Sequence, residues 1–93
     1  MILGAEDKMD QRQQIRRFIL ENFLFSTDDS ALVDDRSLIE SGTVDSTGIL
    51  ELIMFIENTF GIRVADEEML PQNFDSVTRV LAFVARKQAS SGG

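Results

Sequence analysis

Between Ser46 and Phe60 the apolar residues Ile49, Leu52, Ile53, Ile56 and Phe60 return at steps of three, one, three and four, the period of a helix with one buried face. Asp45-Ser46 precedes this run and Gly61 follows it where a left-handed C-cap belongs, so the segment carries both a start and a stop signal. A helix that is apolar on one side must lie against another element. No stretch elsewhere alternates apolar and polar residues long enough to form a strand, so its partners have to be helices.

Three further segments supply them. Ile15, Phe18, Ile19 and Phe23 define a first helix over residues 7 to 24, with Asp7 and Asp10 as alternative caps. Asp66-Glu67-Glu68 starts a short helix that Pro71 limits. A last helix follows Asp75-Ser76, either of which is a cap, and carries Val77, Val80, Leu81 and Val84 on one face with Arg86-Lys87 in its final turn. Residues 25 to 45 form a long loop whose Leu32, Val33, Leu38, Ile39 and Val44 mark it as packed onto the core. The expected fold is all-α, a small four-helix bundle of three longer helices and one short helix, in a single domain over residues 1–93, with residues 1–6 and 89–93 as disordered tails.

Composition narrows the chemistry. The 93 residues contain no His and no Cys, which removes imidazole acid/base work, Ser-His and Cys-His nucleophiles, Cys/His zinc sites and disulfides. A net charge of −7 opposes binding to nucleic acid or anionic membranes. That charge is uneven: thirteen of the sixteen acidic residues but only two of the nine basic ones, Arg36 and Arg63, lie between Phe18 and Thr78. The apolar stretches fall far short of the roughly 20 residues that span a bilayer, and Met1-Ile2-Leu3 runs into Gly4, Ala5, Glu6 and Asp7 rather than an export signal. The expected location is cytoplasmic.

Ser46 opens the central helix, where unpaired backbone amides and the helix dipole favour a phosphate on its Oγ. Asp45 or Ser46 is equally an ordinary N-cap, and the two roles are compatible. A serine hydrolase is excluded, because Val44 stands where the nucleophile elbow needs glycine and no histidine exists to take the proton. With Ser46 at zero and about 100° per residue, the core residues of this helix fall between about −20° and −120°. Glu57, Leu50, Met54, Thr47 and Glu51 fall between about 20° and 140°. That second face is apolar at its middle and acidic at its flanks, which suits transient docking of a basic partner; the competing reading buries Leu50 and Met54 beneath the long loop. Phe55 fits neither face. The acidic pairs Asp28-Asp29 and Asp34-Asp35 and the triplet Asp66-Glu67-Glu68 lack the spacing of a calcium loop and read as solvated loop and helix-cap carboxylates.

Residues 12 to 87 resemble the acyl carrier protein family, which includes peptidyl and D-alanyl carriers. The resemblance centres on Leu38-Ile39-Glu40-Ser41-Gly42-Thr43-Val44-Asp45-Ser46, continues through Leu50-Glu51-Leu52-Ile53-Met54-Phe55-Ile56-Glu57, and closes on Phe60-Gly61-Ile62-Arg63-Val64 and Asp66-Glu67. It implies a four-helix bundle whose Ser46 is esterified with 4′-phosphopantetheine from coenzyme A by a phosphopantetheinyl transferase. Asp45 carries over as Ser46's partner in that recognition. Thr47, Leu50, Glu51, Met54 and Glu57 carry over as the face read by partner enzymes, and Ile53, Ile56, Phe60 and Ile62 as core. The cofactor then brings the sulfur that the chain lacks. Thr47 and Gly48 depart from the fatty-acid carriers, which usually have Leu and often an acidic residue there. With Leu70-Pro71-Gln72-Asn73-Phe74-Asp75-Ser76-Val77, they bring the chain nearer to carriers served by adenylate-forming ligases, the D-alanyl type among them.

The resemblance therefore implies a stand-alone, monomeric, non-catalytic carrier that holds acyl or aminoacyl thioesters, loaded by an adenylate-forming acyl or aminoacyl ligase and read by condensing or acyl transfer enzymes. The alternative is an acidic helical adaptor that binds a basic protein and takes no cofactor. Ser46→Ala separates them: it abolishes the first function and spares the second.

Overall fold

The computed structural model describes residues 10–91. Four helices build it: α1 (Gln11–Ile19), α2 (Ser46–Phe60), the single-turn α3 (Pro71–Phe74) and α4 (Val77–Ser91). No strand occurs among the described residues. Helix α1 lies against α2 and α4, and α3 bridges α2 and α4. This is the expected all-α bundle of three longer helices and one short one.

The periodic residues meet at the centre: Ile15 and Ile19 of α1, Leu52, Ile53 and Ile56 of α2, Phe74 of α3, and Val77, Val80, Phe83 and Val84 of α4 are all buried. Phe83 is a core residue that the reading of the last helix passed over, while Leu81 and Phe60 are only half-buried at the rim. Phe55 has its place between α1 and α2, where its ring stacks on Phe18 with centroids 4.2 Å apart.

Helix α1 ends earlier than its periodicity predicts. Asp10 caps it by accepting from the Gln13 amide at 2.8 Å, the alternative cap Asp7 lying outside the described residues. After Ile19 the helix widens into a π-helical turn, Leu20–Leu24. The Leu20 carbonyl there accepts from the amides of both Phe25 and Ser26. Phe25 closes the turn with φ of 50°, a left-handed conformation that costs a non-glycine residue roughly 1 kcal/mol or more.

The long loop packs onto the core through Leu32, Leu38 and Val44, whereas Val33 and Ile39 are exposed. Three of its acidic residues, Asp29, Asp34 and Asp35, also act as latches, although only Asp34 is half-buried. Arg16 of α1, only 4% exposed, donates to the backbone carbonyls of Asp29 and Leu32 and to the carboxylates of Asp29 and Asp34, and Arg12 adds a 2.6 Å bond to Asp34. Asp28 caps the short turn Asp29–Ala31. Burial works against ionising Asp34, but the two guanidinium groups outweigh it and hold its carboxyl below the usual range. Asp35 accepts from the Thr78 hydroxyl at 2.5 Å. The Asp28 cap agrees with the expected cap carboxylates, whereas the bonds from Arg12, Arg16 and Thr78 escape a local reading because those partners lie on helices distant in sequence.

Before α3, the expected short helix is a single 3-10 turn, Asp66–Glu68, and α3 itself begins at Pro71, whose missing N–H is no loss in a first helical position. Glu68 accepts from the Ala65 amide and pairs with Lys87 of α4. Helix α4 continues to Ser91, past Ala89, where the sequence predicts fraying. The expected tail over residues 1–6 lies outside the described residues.

Candidate functional site

The start of α2 is fixed from three directions. Asp75 reaches the long loop from the α3–α4 junction: its carbonyl accepts the Leu38 amide, and its carboxylate accepts the Ile39 amide at 3.0 Å and the Ser37 hydroxyl at 2.7 Å. Asp75 is therefore not the cap of α4; Ser76 is, accepting from the Arg79 amide. Leu38 then receives the Val44 amide on its carbonyl, closing a loop whose turn is made by Gly42 at φ of 78°. Leu38 and Val44 are buried beneath that loop. The next residue, Asp45, is delivered to the head of α2.

Asp45 is the N-cap. Its Oδ1 accepts from the Gly48 amide at 2.8 Å and its carbonyl accepts from the Ile49 amide, a cap that contributes about 1 kcal/mol. Ser46, the first helical residue, is thereby spared that duty. It is exposed, and its hydroxyl makes no hydrogen bond among the described residues. Gly48 is buried, and a methyl carbon placed on it would lie 2.8 Å from Val44 Cγ1 and 2.9 Å from Phe23 Cε1. The loop, the turn after α1 and the head of α2 thus converge on one glycine, two residues after Ser46.

The outer face of α2 carries Thr47, Leu50, Glu51 and Met54, all exposed. Leu50 and Met54 keep 53% and 60% of their surfaces, so the long loop does not cover them. Glu57 differs. It is half-buried, and its Oε2 accepts from the Val64 amide at 2.9 Å, tying the chain after Gly61 back onto α2. The structure thus brings Ser46, Thr47, Leu50, Glu51 and Met54 onto one accessible surface and sets Glu57 at its edge, engaged with backbone. Ile39, expected in the core, is instead exposed beside the Asp75 latch, and Phe25 is an exposed apolar residue that the helical reading did not single out.

The head of α2 thus pairs an exposed, hydrogen-bonded cap, Asp45, with an exposed serine, on a helix whose apolar and acidic outer face is uncovered. No family model matches the chain. D-alanyl carrier proteins of Streptococcus pyogenes serotype M5 (strain Manfredo), serotype M49 (strain NZ131) and serotype M1 are each 34% identical to it over 76 residues, covering 80% of this chain and 95% of the relative. The chain belongs to the acyl carrier protein family. Within that family it is a carrier protein of the D-alanyl carrier type. No described helix is long and apolar enough to cross a membrane.

Proposed function

We propose that this protein is a non-catalytic carrier that bears 4′-phosphopantetheine on Ser46 Oγ, is loaded with an amino acid by an adenylate-forming ligase, and delivers it to an acyl transfer enzyme. D-alanine is the proposed cargo, by likeness to the relatives named D-alanyl carrier proteins. The observation that carries the reading is the division of labour at the head of α2: Asp45 caps the helix and leaves the Ser46 hydroxyl exposed.

The residues present suit the group. Ser46 Oγ attacks the phosphorus of coenzyme A that carries the pantetheine; the new Oγ–P bond forms as the diphosphate P–O bond breaks, adenosine 3′,5′-bisphosphate leaves, and the hydroxyl proton passes to a base on the transferase. The phosphodiester then sits at the positive end of a 15-residue helix. Once attached, the arm supplies the thiol on which the cargo is held as a thioester. Thr47, Leu50, Glu51 and Met54 form the docking face, with Glu51 as the exposed charge at its flank; Glu57, bonded to Val64, acts mainly to hold the end of α2.

Phosphopantetheinylated protein given ATP, magnesium, D-alanine and a D-alanine-activating adenylate-forming ligase is expected to gain one alanyl group that hydroxylamine releases. A protein that accepts fatty acyl groups but no D-alanine would contradict the proposed cargo, and loading that persists in Ser46→Ala would contradict the attachment site.

A further inference from the structure

Three unusual features coincide just after α1. The helix widens into the π-helical turn Leu20–Leu24, the next residue is left-handed without being glycine, and that residue is Phe25 with 83% of its surface exposed. Glycine or asparagine would close the same turn with less strain and without placing an aromatic ring in water. Neither backbone preference nor burial explains phenylalanine here. Aromatic residues, phenylalanine among them, are enriched in protein interfaces relative to the rest of the surface.

Its position says which interface. Phe23, two residues earlier, lies against Gly48 in the first turn of α2. Following backbone and ring from Phe25 through Phe23 and Gly48 bounds its distance to Ser46 at about 23 Å. That separation fits within the roughly 30 Å breadth of a standard docking footprint of about 800 Å² per partner. Asp28, exposed and three residues on from Phe25, adds an acidic group with no ion pair among the described residues, whereas Glu21 is paired with Arg17 and Asp29 with Arg16.

We infer that Phe25 is an apolar anchor for the phosphopantetheinyl transferase, entering a pocket on that enzyme whose rim is basic. The inference rests on the proposed modification of Ser46. Among the partners proposed above, the transferase alone must bring its active site to the Ser46 hydroxyl itself, so its footprint is centred on the head of α2 and spreads over the end of α1. Enzymes that act on the far end of the arm are under no such constraint.

The test measures transfer of phosphopantetheine from coenzyme A by intact mass, with one transferase acting on the full chain and its variants. Phe25→Gly and Phe25→Asn both suit a left-handed residue, so each is expected to melt no lower than wild type while kcat/KM falls about tenfold, through KM. Phe25→Leu, which keeps an apolar anchor, is expected to stay within about threefold of wild type. Glycine and asparagine variants modified within about twofold of the wild-type rate would overturn the inference while leaving the role of Ser46 intact. A wild-type chain that gains no mass would overturn the reading of Ser46 and this inference with it.

Discussion

Gly48 is the residue on which the site is built. Helix propensity alone makes glycine in a first turn unfavourable by about 1 kcal/mol relative to alanine, and on that ground Gly48→Ala should stabilise the protein. Space says the opposite, because the added methyl would press on Val44 Cγ1 and Phe23 Cε1 at under 3 Å. Val44 is buried and its branched side chain has little room to turn. Gly48→Ala is therefore expected to destabilise by about 1 to 2 kcal/mol in chemical denaturation, as overpacked sites do; a gain in stability would show that the contact at the head of α2 is looser than described. The sequence exposes the price of this glycine but not its purpose, since the atoms that demand it come from Phe23 and Val44, on two other segments.

At the scale of elements, α2 is the most legible part of the chain and the long loop the least. Both ends of α2 carry local signals, Asp45 before it and Gly61 after it at φ of 68°, and its buried face repeats regularly. The loop is held instead by pairs far apart in sequence: Arg16 with Asp29 and Asp34, Thr78 with Asp35, Asp75 with Ser37 and Ile39. No local pattern reports such pairs. The end of α1 was hidden for the same reason, its widened turn bringing Phe23 to a glycine 25 positions later. Replacing the buried Arg16 with Leu leaves the carbonyls of Asp29 and Leu32 without their donor and is expected to cost about 2 to 3 kcal/mol. The acid response follows from Asp34. Its folded carboxyl is held below the unfolded value of about 4, so its contribution is complete above that pH and is lost as pH falls through the depressed folded value. Melting temperatures measured from pH 6 down to pH 2 are expected to drop less steeply below about pH 4 in Asp34→Asn than in wild type, from a lower start. Parallel curves would remove Asp34 from the acid response.

Over the whole molecule, the charge of −7 is a gradient rather than a uniform coat, with the acidic excess concentrated between Phe18 and Thr78 around Ser46. Of the two glutamates expected on the docking face, Glu51 is exposed and Glu57 is bonded to backbone. Glu51→Lys is accordingly expected to slow modification of the carrier several-fold at low ionic strength, with the difference from wild type shrinking as salt screens the attraction over about 10 Å at 0.1 M. Equal rates at low salt would remove Glu51 from the docking face. Glu57→Gln is expected to act mainly on stability. The missing cysteine and histidine suit the proposed function, in which the thiol arrives by modification and catalysis is left to partners.

The proposed function requires that one hydroxyl, that of Ser46, receive the cofactor. Trypsin cuts after Arg36 and Arg63 and releases residues 37–63 as one peptide bearing Ser37, Ser41, Thr43, Ser46, Thr47 and Thr59. After incubation with coenzyme A, magnesium and a phosphopantetheinyl transferase, fragmentation of this peptide is expected to locate a single phosphopantetheine on Ser46, and Ser46→Ala protein is expected to yield only the unmodified peptide. An unmodified peptide from the wild-type chain, or the group on any other hydroxyl, would contradict the account.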